Sequence, residues 1–193
     1  MLNETVVEQL MQLLYSLHNS SNASVHHTAC ACLRQLAEHL ADQAANAATK
    51  MDLPSAYVFQ NIRSVMRRTP AKLPNVAPNQ APEGLTGPLR MFYFFVQDLC
   101  VMADYDVSSM STRYSMDPSE RMRTGNREGY WLATVKFPRP LCLELLGACI
   151  SSHPSTFKTI PECFALLRHN VCAALLKNLR GCFDFAILIR SVQ

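Results

Sequence analysis

Residues 4–40 read ETVVEQLMQLLYSLHNSSNASVHHTACACLRQLAEHL, and this stretch decides the fold of the chain. Apolar residues recur at every third or fourth position in both of its halves, which is the period of an amphipathic α-helix. The first half carries the stripe Val6, Leu10, Leu13, Leu14 and Leu17, and the second carries Val25, Ala29, Cys32, Leu33, Leu36 and Leu40. Residues 19–24 between the two stripes are polar and turn-like. The stretch therefore predicts an antiparallel pair of helices joined by a short turn.

The same period predicts further helices in the second half of the chain. Residues 89–103 are apolar on every side, with Leu89, Phe92, Phe95, Val96, Leu99, Cys100 and Ala103 on one face and Met91, Tyr93, Phe94 and Val101 on the other. A helix that is apolar all round is expected to pack on more than one side. Residues 141–150 predict the next helix, with Pro140 suited to its first turn and Pro154 just past its end.

A last predicted helix follows a capping-box pattern, with Thr159 as N-cap and Glu162 three residues later. Its expected inner face is Ile160, Cys163, Phe164, Leu167, Val171, Ala174, Leu175 and Asn178. Gly181 is a plausible stop, and residues 183–192 begin another helix. No stretch shows convincing strand alternation, and each hairpin of ~40 residues would leave an apolar face bare unless neighbours stacked on it. The chain is therefore expected to be all-α, an armadillo/HEAT-like helical repeat or α-solenoid.

Two regions break this pattern. Residues 49–87 form a Pro-rich linker, in which residues 57–66 could make one short helix, and residues 104–129 form a polar loop. Each holds or borders a basic run, with Arg63, Arg67, Arg68 and Lys72 in the first and Arg121, Arg123 and Arg127 in the second. These runs are either solvated loop residues or contacts for acidic lipid headgroups or an acidic partner.

The amino-acid composition narrows the classes of protein to which the chain could belong. Of 193 residues, 49% are apolar and 17% charged, so the chain is expected to fold, and a net charge of +3 does not suggest a nucleic-acid partner. The N-terminus lacks a signal-peptide pattern and no stretch is apolar enough to cross a bilayer, which predicts a cytoplasmic protein with at most peripheral membrane contact. The eight cysteines lie mostly in apolar helical runs, as reduced core thiols do.

Few residues in the sequence are candidates for metal binding or catalysis. His26, His27, Cys30 and Cys32 resemble part of a metal cluster, but a structural zinc site needs four ligands and no second pair follows, so we expect no metal site. Cys163, His169 and Cys172 raise the question of a thiol nucleophile, against the simpler interpretation of a buried Cys172 and an exposed His169. No phosphate loop, nucleophile elbow or dinucleotide fingerprint occurs. The sequence predicts no catalytic, cofactor-binding or metal-ligating residue, and no enzyme.

Three blocks resemble the N-terminal region of the large Arf guanine-nucleotide exchange factors, and in particular their Mon-two-like members, which lack the catalytic Sec-seven domain. The first block is LYSLHNSSNASVHHTACACLRQL at 14–36, and the second is MFYFFVQDLC at 91–100. The third runs through YWL at 130–132, LELL at 143–146 and NVC at 170–172. Val96 stands where the family has phenylalanine, Asn170 where it has arginine, and Ala173 where it has proline.

This resemblance implies an organisation and a role. Residues 1–48 would be the tail of the dimerisation and cyclophilin-binding region, residues 49–87 a linker, and residues 88–193 the start of the homology-upstream-of-Sec-seven region with an insertion at 104–129. The chain would then be a fragment of a longer protein. The implied function is a non-catalytic scaffold in vesicle-mediated transport at trans-Golgi network and endosome membranes. Implied partners are other scaffold chains, through self-association or a Dopey-like partner, and Arf-like small GTPases.

Two alternatives remain open at this point. The chain could be the regulatory region of an active Arf exchange factor, or an unrelated armadillo-type binding module. The long basic linker and the 104–129 insertion depart from the family pattern and weaken the implied partners more than the implied fold.

Overall fold

The computed structural model describes residues 4–50, 85, 87–103, 132 and 135–181. Every regular element in these ranges is helical and none is a strand, which confirms the all-α prediction for this part of the chain. The elements are α1 (Glu4–His18), α2 (Ala23–Thr49), α3 (Gly87–Met102), α4 (Arg139–Ser152), α5 (Pro154–Thr159) and α6 (Pro161–Leu166), followed by a π-helical turn (Leu167–Val171) and α7 (Cys172–Gly181).

Helices α1 and α2 form the predicted hairpin. They pack against each other across a short connection, residues 19–22. Asn22 is the N-cap of α2, and its side-chain oxygen accepts hydrogen bonds from the backbone N–H groups of Ser24 and Val25 at 3.0 and 3.4 Å. This cap satisfies two of the N–H groups that a helix start leaves without a partner.

The buried face of α1 is shifted by about one position along the chain from the predicted stripe. The structure buries Val7, Met11 and Leu14. Most of the predicted stripe faces outward, where the exposed fraction is 47% for Val6, 55% for Leu13 and 38% for Leu17. The reason is that α1 carries two adjacent apolar stripes with the same period, and it turns the less apolar one toward α2.

Helix α3 is packed on several sides, as predicted. It contacts α2, α4, α6 and the π-helical turn, and twelve of its residues are buried. Gly87 begins it with φ of +52°, a backbone conformation that favours glycine. The rings of Phe92 and Phe157 lie 5.6 Å apart and join α3 to α5. One hydrophobic cluster includes residues from α1 through α7, so both predicted helical regions contribute to the same core.

The predicted N-cap at Thr159 is wrong. Thr159 is the last residue of α5, and its hydroxyl donates a hydrogen bond to the Ser155 carbonyl at 3.0 Å. Ile160 occupies the N-cap position of α6 and makes no side-chain capping bond. Pro161, which suits the first turn of a helix, fixes the start of α6 instead. The predictions for α4 hold, with Pro140 in its first turn and Pro154 beyond its end.

A π-helical turn interrupts what the sequence predicted as one continuous helix. Val171 at the end of this turn is buried, and the buried face continues through Ala174 and Asn178, while Leu166 just before the turn is buried in place of the predicted Leu167. The Asn178 side-chain N–H group donates to the carbonyls of Ala103 and Ala174 at 2.7 and 2.8 Å. Asn178 is fully buried and thereby ties α7 to the end of α3.

Several predictions lie outside the described residues. These are the short helix at 57–66, the loop at 104–129 and the helix at 183–192. Among the helices that the structure describes, none combines the length and the hydropathy that a bilayer crossing would need.

Candidate functional site

The outer face of α1 carries a row of four apolar side chains, Val6, Leu10, Leu13 and Leu17, called here the outer stripe. Leu10 is half-buried and the other three are exposed. Successive members are four, three and four residues apart, the spacing that the seam of two packed helices requires. Leu17 also lines an open groove of about 200 Å³ between α1 and α2.

The charged residues of α1 lie away from the outer stripe. Helix α1 contains Glu4 and Glu8 and no lysine or arginine. At 3.6 residues per turn, both glutamates project about 150–170° from the centre of the stripe, whereas the exposed polar residues Gln9 and Ser16 lie on its flank. The outer stripe is therefore an apolar seam with uncharged polar residues beside it.

Exposed large apolar residues elsewhere in the described chain occur only on α7. Leu176 is 50% exposed and Leu179 38% exposed. The first and last described helices thus carry all five such residues, while the helices between them carry none.

A second feature lies where α1 ends and α2 begins. One potential ligand atom from each of His18, His26 and Cys30 lies within 4.8 Å of the other two, and all three residues are partly exposed. The centroids of the two imidazole rings are 4.5 Å apart. We call this the His-Cys cluster. Neither His27 nor Cys32, which the sequence placed beside His26 and Cys30, belongs to it.

The hairpin fixes the orientation of His26 within the cluster. His26 Nδ1 lies 2.6 Å from the backbone carbonyl oxygen of His18, so Nδ1 carries the proton and donates. In the neutral ring Nε2 then bears the lone pair, and it lies 3.8 Å from Cys30 Sγ. Sequence reasoning missed His18 because it counted donors along one helix, whereas this one comes from the helix before the turn.

Electrostatics in the cluster favour the neutral forms. Burial lowers the pKa of His18, opposed in part by a side-chain hydrogen bond with Asn19 and reinforced by His26. Burial and the Glu144 carboxylate raise the pKa of the Cys30 thiol.

The four thiols that are buried among the described residues do not have the properties of nucleophiles. Burial raises the pKa of Cys149 and of Cys163 to about 12, and it raises the pKa of Cys100 and Cys142 as well. Because the thiolate is the reactive form, these side chains are inert at neutral pH. The predicted exposures of Cys172 and His169 were wrong, since Cys172 is exposed and His169 half-buried. The two basic runs lie outside the described residues.

Comparison with known proteins identifies no relative of this chain. No family model matches the chain, and neither the curated proteins nor the solved structures give a significant match.

Proposed function

We propose that this chain is a non-catalytic scaffold segment that works through protein–protein contacts, with the outer stripe of α1 as its docking face. The observation that carries the proposal is the exposure of Val6, Leu13 and Leu17, by 38–55%, on a helix whose adjacent apolar stripe is buried. Leaving the more apolar of two stripes in water is unfavourable unless a partner covers it.

The occupant that fits this face is an amphipathic helix of another scaffold chain. A spacing of four, three and four residues suits a helix packed nearly parallel or antiparallel to α1, with its own apolar residues seated between those of the stripe. Gln9 and Ser16 beside the stripe are uncharged, and Glu4 and Glu8 project from the far side of α1, so the apolar seam supplies the contact.

An armadillo/HEAT-like solenoid is the architecture that we propose for this segment. In a solenoid, interior helices are covered by their neighbours and end helices are not. The distribution of exposed apolar side chains supports this arrangement, because they occur only on α1 and α7 among the described helices.

The sequence resemblance to the Mon-two-like members of the large Arf exchange factors places the proposal in vesicle-mediated transport. We propose a peripheral role at trans-Golgi network and endosome membranes, with other scaffold chains and Arf-like GTPases as partners. The described parts of the first two resembling blocks, 14–36 and 91–100, lie in the hairpin and in α3. The hairpin carries the docking face, and α3 supports the core beneath it.

The docking face is tested with a synthetic helical peptide that carries a leucine seam and with a control peptide in which glutamine replaces the seam leucines. The full chain should bind the leucine peptide and not the control, and added salt should change the affinity little because the contact is apolar. The double variant Leu13→Gln, Leu17→Gln should lose this binding by at least about 10-fold, since two buried leucines contribute ~1.5–3 kcal/mol each. The matched control is Gln9→Ala, Ser16→Ala on the same helix.

Three outcomes would overturn parts of the proposal. Equal binding of the leucine peptide by the wild type and by the double variant would show that the outer stripe is not the docking face. A dimer in sedimentation that the double variant abolishes would make a second copy the occupant. Accelerated release of labelled GDP from an Arf protein by the chain would contradict the non-catalytic role.

A further inference from the structure

The His-Cys cluster is built from two helices and held together by the turn between them. His18 ends α1, His26 and Cys30 lie one turn apart on α2, and the connection at 19–22 brings the three together. Two imidazoles and one thiol are the donors that zinc prefers in proteins. Nothing in the packing of the hydrophobic core requires this combination, because all three residues lie at its edge and are partly exposed.

The geometry is already close to that of a metal site. In a tetrahedral zinc site, with Zn–S about 2.3 Å and Zn–N about 2.0–2.1 Å, sulfur and nitrogen ligands lie roughly 3.6 Å apart. Cys30 Sγ and His26 Nε2 are separated by 3.8 Å. The three ligand atoms lie within 4.8 Å of one another. Side-chain rotations that move these atoms by about an ångström would therefore bring them to the separations of a zinc site.

Two independent observations point to a ligand. The bond from His26 Nδ1 to the His18 carbonyl is the arrangement found behind metal-bound histidines, where the second ring nitrogen donates to a backbone carbonyl and fixes the tautomer. In addition, His18 Nδ1 is shielded from solvent and makes no hydrogen bond of good geometry, although the Asn19 side chain lies close enough to the ring to raise the pKa of His18. A shielded polar atom of this kind is normally satisfied by a water molecule or an ion.

From this geometry we infer that His18, His26 and Cys30 bind one Zn²⁺ ion, with the fourth coordination position open to water or to a side chain of a partner. The ion would join the end of α1 to the first turns of α2. It would thereby hold the angle at which α1 presents its outer face. Binding to the folded chain alone would raise its stability with zinc concentration.

The inference departs from the sequence expectation of no metal for a specific reason. That expectation weighed His26, His27, Cys30 and Cys32 along a single helix and found no fitting second pair. The structure replaces His27 and Cys32 with His18, eight residues before His26. Three protein ligands with one open position is a recognised zinc arrangement, whereas the four-ligand pattern sought in the sequence is the closed structural type.

Cobalt titration of the full chain tests the inference. Metal-free protein is titrated with Co²⁺, which substitutes for zinc and reports thiolate ligation through a sulfur-to-cobalt charge-transfer band. We expect saturation at one Co²⁺ per chain, tetrahedral visible bands, and complete displacement by Zn²⁺.

Cys30→Ser should remove the charge-transfer band and weaken Zn²⁺ binding by more than about 100-fold, beyond the effect of losing outer-shell support. His18→Ala should weaken Zn²⁺ binding but leave the band detectable at high Co²⁺.

The matched controls are Cys32→Ser and His27→Ala, which change the neighbouring thiol and imidazole on the same helix. Both should bind Co²⁺ and Zn²⁺ as the wild type does, with unchanged helix content by circular dichroism. A missing band in the wild type, or a band that survives Cys30→Ser, would overturn the site. Tight Cu⁺ binding without Zn²⁺ binding would overturn its assignment to zinc. If Cys30→Ser fails to fold, the His18→Ala and His27→Ala pair decides, because equal Zn²⁺ affinities in the two would exclude His18 as a ligand.

Discussion

Helices α1 and α3 are alike in length, with fifteen and sixteen residues, yet the protein uses them differently. Twelve of the sixteen residues of α3 are buried, against three of the fifteen in α1. Helix α3 is surrounded by α2, α4, α6 and the π-helical turn, whereas the packing of α1 rests mainly on α2. Apolar content alone does not explain the difference, because only three of the eight apolar side chains of α1 are buried, whereas α3 buries even Gln97 and Asp98. The number of neighbouring helices accounts for the rest. This difference is why α3 is a core element and α1 a candidate docking element.

The most direct test of the comparison is the same substitution in both helices. Leu99 on α3 is fully buried and Leu13 on α1 is 55% exposed. We expect Leu99→Ala to lower the free energy of unfolding by roughly 2–5 kcal/mol, because it leaves a cavity in a packed core. Leu13→Ala should change it by no more than about 0.5 kcal/mol. Urea denaturation of both variants measures the difference, and similar losses would mean that the outer face of α1 is covered.

The sequence predicted α3 well and the face of α1 poorly for one physical reason. Neighbouring elements cover twelve of the sixteen residues of α3, so a pattern that is apolar all round predicts burial whichever face is considered. In α1 two stripes one residue apart have the same period, and Val6 with Val7 or Leu13 with Leu14 are equally good core residues. Only the position of α2 settles which stripe is buried, and periodicity contains no information about it.

The candidate site shows the same limit of sequence reasoning. Cys30 and His26 lie four residues apart on one helix, so the sequence could pair them. His18 joins them only through the geometry of the turn at 19–22, which the sequence predicted as a turn without giving its shape. The capping error at Thr159 and the missed π-helical turn are similar, because both depend on backbone geometry that residue types only weakly constrain.

A smaller effect is expected at the polar tie that closes one end of α3. Asn178 is buried and donates to the Ala103 carbonyl just past that end. Asn178→Ala leaves the carbonyl without this donor, and we expect a loss of about 1–3 kcal/mol in the free energy of unfolding. Asn46→Ala on the exposed surface of α2 is the control and should be neutral within about 0.5 kcal/mol. Thermal denaturation compares them, and an equally neutral Asn178→Ala would show that water replaces the lost bond.

The smallest effect is expected at the ion pair between the hairpin and the start of α5. His153 Nε2 contacts Asp42 Oδ1 between this segment and α2, and the Asp42 side chain is 53% exposed. Solvent screens such a pair, so a double-mutant cycle with His153→Ala and Asp42→Ala should give a coupling energy below about 1 kcal/mol. The coupling should fall with added salt. A larger, salt-independent value would mean that this contact fixes the hairpin against α4 and α5.

The π-helical turn at Leu167–Val171 bears on how the chain tolerates changes in its length. Side chains five positions apart on a regular α-helix point about 140° away from each other, yet Leu166 and Val171 both face the core. The wider turn takes up the equivalent of one extra residue, as π-bulges do. Deleting one residue within this turn would restore a regular helix in which Leu166 and Val171 are four positions apart and share a face, so Asn178 would still reach Ala103. The segment therefore behaves as an accommodated insertion, which could be removed without changing the contacts on its far side.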